Sequence, residues 1–117
     1  MANIEIAGNG VLIATLQGEL DNHEANRIRT DISSAIFTGQ IRAIIWDLSK
    51  LGFMDSAGIG LILGRMRDLA PIEGETLILN PSATMEKIFN YSGLGPNLRF
   101  GTIDVAIGEI GGVVHEQ

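Results

Sequence analysis

The stretch Ile41-Arg42-Ala43-Ile44-Ile45-Trp46-Asp47-Leu48 decides how this chain folds. Ala43 to Trp46 are apolar in succession, without the alternation of a strand that has one wet face. Such a run predicts a strand buried on both sides, as in a sheet interior covered by helices. On its N-terminal side, Ala25, Ile28, Ile32, Ala35 and Ile36 recur at helical spacing and predict an amphipathic helix over about 23–38. Asp21 or Asn22 can cap that helix, and Gly39 ends it. Earlier still, Ile4 and Ile6 alternate with Asn3 and Glu5. Gly8-Asn9-Gly10 then tolerates the positive φ of a tight turn, and Val11–Leu16 reads as the second arm of a β-hairpin.

On the C-terminal side, Ser49–Met54 reads as a loop, and Asp55-Ser56 precedes a second helix over about 57–69. Arg65 and Arg67 suit the negative end of its dipole, and Pro71 marks the exit. Thr76–Leu79 is a fourth strand. Pro81-Ser82 opens a third helix in which Met85, Ile88 and Phe89 share a face, with Gly93 at its C′ position. Leu98–Phe100 reads as a short edge strand, and Ile103–Ile110 as a weak last helix interrupted by Gly108. A loose tail is expected from about Gly111. The alternation predicts one α/β domain over 1–117, with a mixed sheet of four or five strands covered by helices mainly on one face.

Composition narrows the chemistry. The 117 residues are 45% hydrophobic and 19% charged, which fits a globular chain. No cysteine is present, so disulfides, thiolate metal sites and cysteine nucleophiles are excluded, and two histidines make a histidine-rich metal site a poor fit. Eight basic residues face 14 acidic ones, for a net charge of −6. Phosphate backbones are held chiefly by cations, so direct nucleic-acid binding is not expected. The first basic residue is Arg27, which argues against a secretory leader. The longest stretch lacking a polar side chain, Ala57–Gly64, is too short to span a membrane. A cytoplasmic protein is expected.

The densest local signal is Phe53-Met54-Asp55-Ser56-Ala57-Gly58-Ile59-Gly60-Leu61-Ile62-Leu63-Gly64-Arg65. Asp55 and Ser56 are good caps. Capping does not explain Gly58, Gly60 and Gly64, each of which costs up to about 1 kcal/mol relative to alanine inside a helix. Something must approach this backbone closely, either another element of the fold or a partner. The helix is also apolar almost all round, and an exposed apolar patch beside small residues suggests a docking surface.

Catalytic readings of the same residues fail. Gly58-x-Gly60-x-x-x-Gly64 approximates a dinucleotide fingerprint, but Asn80 stands where an acidic residue would hold the ribose, and the glycines lie too far from the preceding strand. Ser56-x-Gly58 is half of a nucleophile elbow, with Met54 where the strained turn needs glycine. His23 beside a helix cap reads as solvated, and His115 lies in the tail. Trp46 and Phe89 read as core, and Gly93-Leu94-Gly95-Pro96 as a helix stop.

Taken in order, Gly18-Glu19-Leu20-Asp21, Ile44-Ile45-Trp46-Asp47-Leu48, Phe53-Met54-Asp55-Ser56-Ala57-Gly58, Leu79-Asn80-Pro81-Ser82 and Ile88-Phe89-Asn90-Tyr91-Ser92-Gly93-Leu94-Gly95 resemble the STAS domain of anti-sigma factor antagonists. The likeness covers nearly the whole chain and is strongest to the sporulation antagonists of spore-forming Firmicutes. It implies a STAS-type sandwich and a non-enzyme that needs no cofactor. It further implies binding to an anti-sigma factor that is also a serine kinase, and so release of the sigma factor. By the same resemblance, that kinase phosphorylates Ser56 and a metal-dependent serine phosphatase reverses it. Asp21, Asn22, His23, Asp55, Ser56, Ala57, Gly58 and Gly60 fall on the implied partner surface. Ala57 stands where many relatives carry a second serine, leaving Ser56 as the acceptor in the motif. Two other readings remain open at this point: a non-switching STAS interaction module and a small nucleotide-binding protein.

Overall fold

A computed structural model describes residues 2–112. The N-terminal hairpin pairs β1 (Ala2–Ala7) antiparallel with β2 (Val11–Leu20). Its turn uses positive φ at Asn9 and Gly10, 74° and 76°. Helix α1 (Asn22–Phe37) leads to β3 (Ala43–Met54), α2 (Ser56–Leu69) to β4 (Glu75–Leu79), and α3 (Ala83–Tyr91) to β5 (Leu98–Arg99); α4 (Ile103–Gly112) follows. The five strands lie in sequence order, and β2 to β5 run parallel.

That order fixes where the helices go. Each crossover moves one strand in the same direction, so crossovers of one hand place α1, α2 and α3 on the same face. Leu12, Ala14, Leu16, Ile44, Trp46 and Ile78 supply the sheet side of this layer. Ala25, Ile28, Ile32 and Ile36 of α1, Leu61, Ile62 and Leu69 of α2, and Met85 and Phe89 of α3 close over it. The intervening residues Val11, Ala43, Ile45, Leu77 and Leu79 point the other way and are covered by Ala106 and Ile110 of α4. The consecutive apolar residues of β3 thus serve two cores, as their pattern requires.

Two expectations need correction. Ser49–Met54 is not a loop, because β3 continues to Met54 beside the second half of β2. The ladder there contains two register shifts, one between Gly18 and Glu19, and Gly18 has φ 74°. Pairing of Lys50, Leu51, Phe53 and Met54 with β2, not local propensity, keeps the segment extended, and Ser49 and Gly52 fall at the two shifts. Gly108 does not interrupt α4: it is exposed with open space around it, and Ala106 and Ile110 anchor the helix on either side. Arg65 of α2 is 7% exposed and paired with Asp68. The expected loose tail and His115 lie outside the described residues, apart from Gly111 and Gly112 at the end of α4.

At the far edge, Asn80 at φ 57° continues the ladder with its side chain. Its Nδ2 donates to the Gly101 carbonyl at 2.8 Å, and its Oδ1 accepts from Gly101 N–H at 3.0 Å. Arg99 then ties β5 to α4 through Glu109, with Nη2 to Oε2 at 2.6 Å. The Arg99 hydrogen bond holds the Glu109 carboxyl below its ordinary range.

Candidate functional site

The site forms where β2 and β3 end together. Leu20 and Met54 are register partners, so the residues that follow, Asp21 and Asp55, emerge side by side at the C-terminal ends of two adjacent strands. Each starts a helix. Asp21 Oδ1 accepts from Glu24 N–H at 2.9 Å, and Asp55 Oδ1 accepts from Ala57 N–H at 2.8 Å. Two parallel helix N-termini therefore stand next to each other, with two exposed carboxylates at their tips. Ser56 is the first residue of α2. It is exposed, and its hydroxyl makes no hydrogen bond among the described residues.

On one flank of Ser56 is an apolar groove of about 600 Å³ between α2 and α3. Phe53, Ile59, Leu63 and Ile88 supply its apolar lining, and Asp55, Ser56 and Ser92 its polar lip. Phe53 is 57% exposed, Ile88 39% and Leu63 36%. The groove exists because α2 packs closely on α1 but not on the nine-residue α3. Toward α1, a smaller cleft of about 170 Å³ is lined by Asn22, Ala25, Asn26, Arg29, Ala57, Gly60 and Leu61.

The structure gathers most of the expected residues at this corner and assigns them different jobs. Asp55, Ser56 and Gly60 line the groove, while Asn22, Ala57 and Gly60 line the cleft. Asp21 caps α1, and His23 is exposed in its first turn, lining neither. Gly58 is buried, and its close approach is internal: a β-carbon there would meet the Met54 side chain and come within 3.1 Å of Leu20 Cδ2. Gly60 and Gly64 have nothing within 4 Å of such a carbon. Ile88 was expected on the core face of α3 and instead opens onto the groove, since Met85 and Phe89 alone take the core positions. A third apolar residue beside an i, i+4 core pair is the signal that marks it. Among the described residues, no group of histidine and carboxylate side chains could hold a metal ion.

Residues 3–107 match the family model of the STAS domain. The chain belongs to the STAS domain family. It is 47% identical, over 96% of both chains, to an anti-sigma F factor antagonist of Lysinibacillus sphaericus. A protein of the same description from Paenibacillus polymyxa is 38% identical over 73% of each chain. Among solved structures, the anti-sigma factor antagonist SpoIIAA in its unphosphorylated form superposes with a TM-score of 0.92 at 45% identity, covering 96% of this chain and 97% of that one. The Bacillus cell fate determinant SpoIIAA in its phosphorylated form gives 0.87 at 45% identity, covering 94% and 99%.

Proposed function

We propose that this protein is an anti-sigma factor antagonist, a regulatory binding protein rather than an enzyme, switched off by phosphate on Ser56. The unphosphorylated form binds an anti-sigma factor that is also a serine kinase, and frees the sigma factor. A metal-dependent serine phosphatase returns phosphorylated protein to the binding form. The observation that carries this reading is the position of Ser56, an exposed, unbonded hydroxyl on the lip of an apolar groove. No general base is hydrogen-bonded to it, as a catalytic serine would need. A hydroxyl free for a kinase and flanked by surface that a partner would cover is what a phosphate-gated contact requires.

The docking surface extends from Asp21 and Asn22 across Asp55, Ser56, Ala57 and Gly60 to Ile59, Leu63 and Ile88, with Gly58 packed beneath it. Both ends of the switch fit one fold. That SpoIIAA matches this chain closely in its unphosphorylated and its phosphorylated form, at 0.92 and 0.87, supports a change of surface chemistry without refolding. The test incubates the protein with a candidate anti-sigma kinase and nucleotide, reading intact mass and complex formation together. One added phosphate on Ser56 with loss of the complex is expected. Stable binding with no phosphate transfer would instead indicate a non-switching module.

A further inference from the structure

Away from the switch surface, a buried arginine sits in a half-buried polar cluster that apolar packing does not require. Arg65 of α2 donates from Nε to Asp68 Oδ2 at 3.0 Å, and from Nη1 to the Leu61 carbonyl at 3.5 Å. The same Asp68 oxygen accepts from Ser33 Oγ at 2.9 Å, and Ser33 lies on α1. A buried guanidinium is costly unless paired, and Asp68 supplies that pairing within α2. The Ser33 bond adds something different: it crosses from α1 to α2, the two helices whose N-termini form the switch surface. Asp68 sits in the last turn of α2 and Ser56 in the first, roughly 18 Å apart by helical rise.

We propose that Ser33, Asp68 and Arg65 form a positioning clasp that sets how sharply the partner discriminates phosphorylated from unphosphorylated Ser56. The inference rests on the switch proposed above. The Ser33 bond reinforces the close packing of α2 on α1 and so resists a shift of α2 that would carry a phosphate on Ser56 away from Asp21 or from a docked partner. The dianion is then confined to the interface, and the partner leaves. Packed helices shift by about 1–2 Å when their contacts allow it. An unclasped α2 gains more of that freedom, relieves part of the crowding and keeps part of its affinity when phosphorylated. The clasp therefore acts on the off state more than on the on state.

The experiment measures the dissociation constant of the anti-sigma kinase complex for both forms of wild type, Ser33→Ala and Ser33→Thr, with thermal unfolding alongside. Ser33→Ala removes only the cross-helix bond, and Ser33→Thr retains the hydroxyl. Wild type is expected to lose about a hundredfold or more in affinity on phosphorylation, and Ser33→Ala about tenfold or less. The unphosphorylated affinity should stay within about twofold of wild type, and Ser33→Thr should restore the wide ratio. An unchanged ratio in Ser33→Ala, an equal fall in both affinities, or no rescue by threonine overturns the clasp. If wild type binds equally in both forms, the switch itself is refuted and the clasp with it.

Discussion

The side chain of Met54 occupies the space that a β-carbon on Gly58 would need, with Sδ 2.6 Å from where that carbon would stand. This contact joins the last residue of β3 to the first turn of α2 and sets how tightly the helix returns over the strand. Gly58 is therefore a packing residue beneath the surface around Ser56, whereas Gly60, a half-turn on, is open to solvent.

Substitution should separate the two glycines. Gly58→Val forces Met54 and Leu20 aside, and overpacking of this kind costs about 1–3 kcal/mol. Urea unfolding should show a lower midpoint and an unchanged slope. Gly58→Ala should cost less, because methionine adapts and alanine favours helix. A Gly58→Val protein as stable as wild type would refute the contact.

Gly60→Ala should do the opposite. Nothing stands near the new methyl group, so the free domain gains up to about 1 kcal/mol from helix propensity and a less disordered unfolded state. The same methyl group narrows the surface beside Ser56, so affinity for the anti-sigma factor should fall. Thermal unfolding and titration on one preparation check both signs. A gain in both stability and affinity would show that the partner does not approach Gly60.

The glycines show where sequence reading reaches its limit. Their excess in α2 was legible, but not which of them answers to an internal contact, because Met54 and Leu20 become neighbours of Gly58 only once β2 and β3 pair. The same holds for 49–54: Ser49, Lys50 and Gly52 carry no local strand signal, and the segment is extended because Lys50, Leu51, Phe53 and Met54 pair with β2 across a ladder whose shifts fall at Ser49 and Gly52. By contrast, caps and apolar periods are local, and Asp21, Asp55 and Ser82 all cap the helices expected of them. The apolar run of β3 demanded a cover on each face. Gly108 disguised the second cover, α4. The candidate site divides in the same way. Its hydroxyl and carboxylates were legible from the motif, while Ile88 belongs to the groove only because α3 stands apart from α2.

The tie between β5 and α4 should be sensitive to acid. Glu109 is held below its ordinary value of 4.5 by Arg99, so its contribution to stability is full above that pH and is lost as pH falls through the lowered folded value. Both side chains are more than a third exposed, at 38% and 40%, so solvent limits the effect to no more than about 1 kcal/mol. Glu109→Gln should flatten the acid limb of a stability-against-pH curve and leave stability above neutral pH slightly reduced. Hydrogen exchange in α4 should rise first on acidification. A variant with the wild-type acid limb would place the sensitivity elsewhere.

Ser56 variants should reproduce the two ends of the switch. A phosphate there brings about −1.5 to −2 charge to the N-terminus of α2. The helix dipole favours an anion at that point by about 0.3–1 kcal/mol, and water screens the exposed Asp21 and Asp55 in the free protein. Stability should therefore change little. In the complex, water is displaced by partner surface, and the charge loses hydration beside the carboxylates of Asp21 and Asp55 at the two helix tips. Burying such an unpaired charge costs several kcal/mol, and about 2.8 kcal/mol already weakens binding a hundredfold. Ser56→Asp, with one charge and no third oxygen, should lose part of this affinity and unfold at nearly the wild-type temperature. Ser56→Ala should bind like the unphosphorylated protein and stay bound in the presence of kinase and nucleotide. Calorimetric titration of the three proteins decides the matter. Ser56→Asp binding as tightly as Ser56→Ala, or Ser56→Ala accepting phosphate at the wild-type rate, would place the switch on another residue.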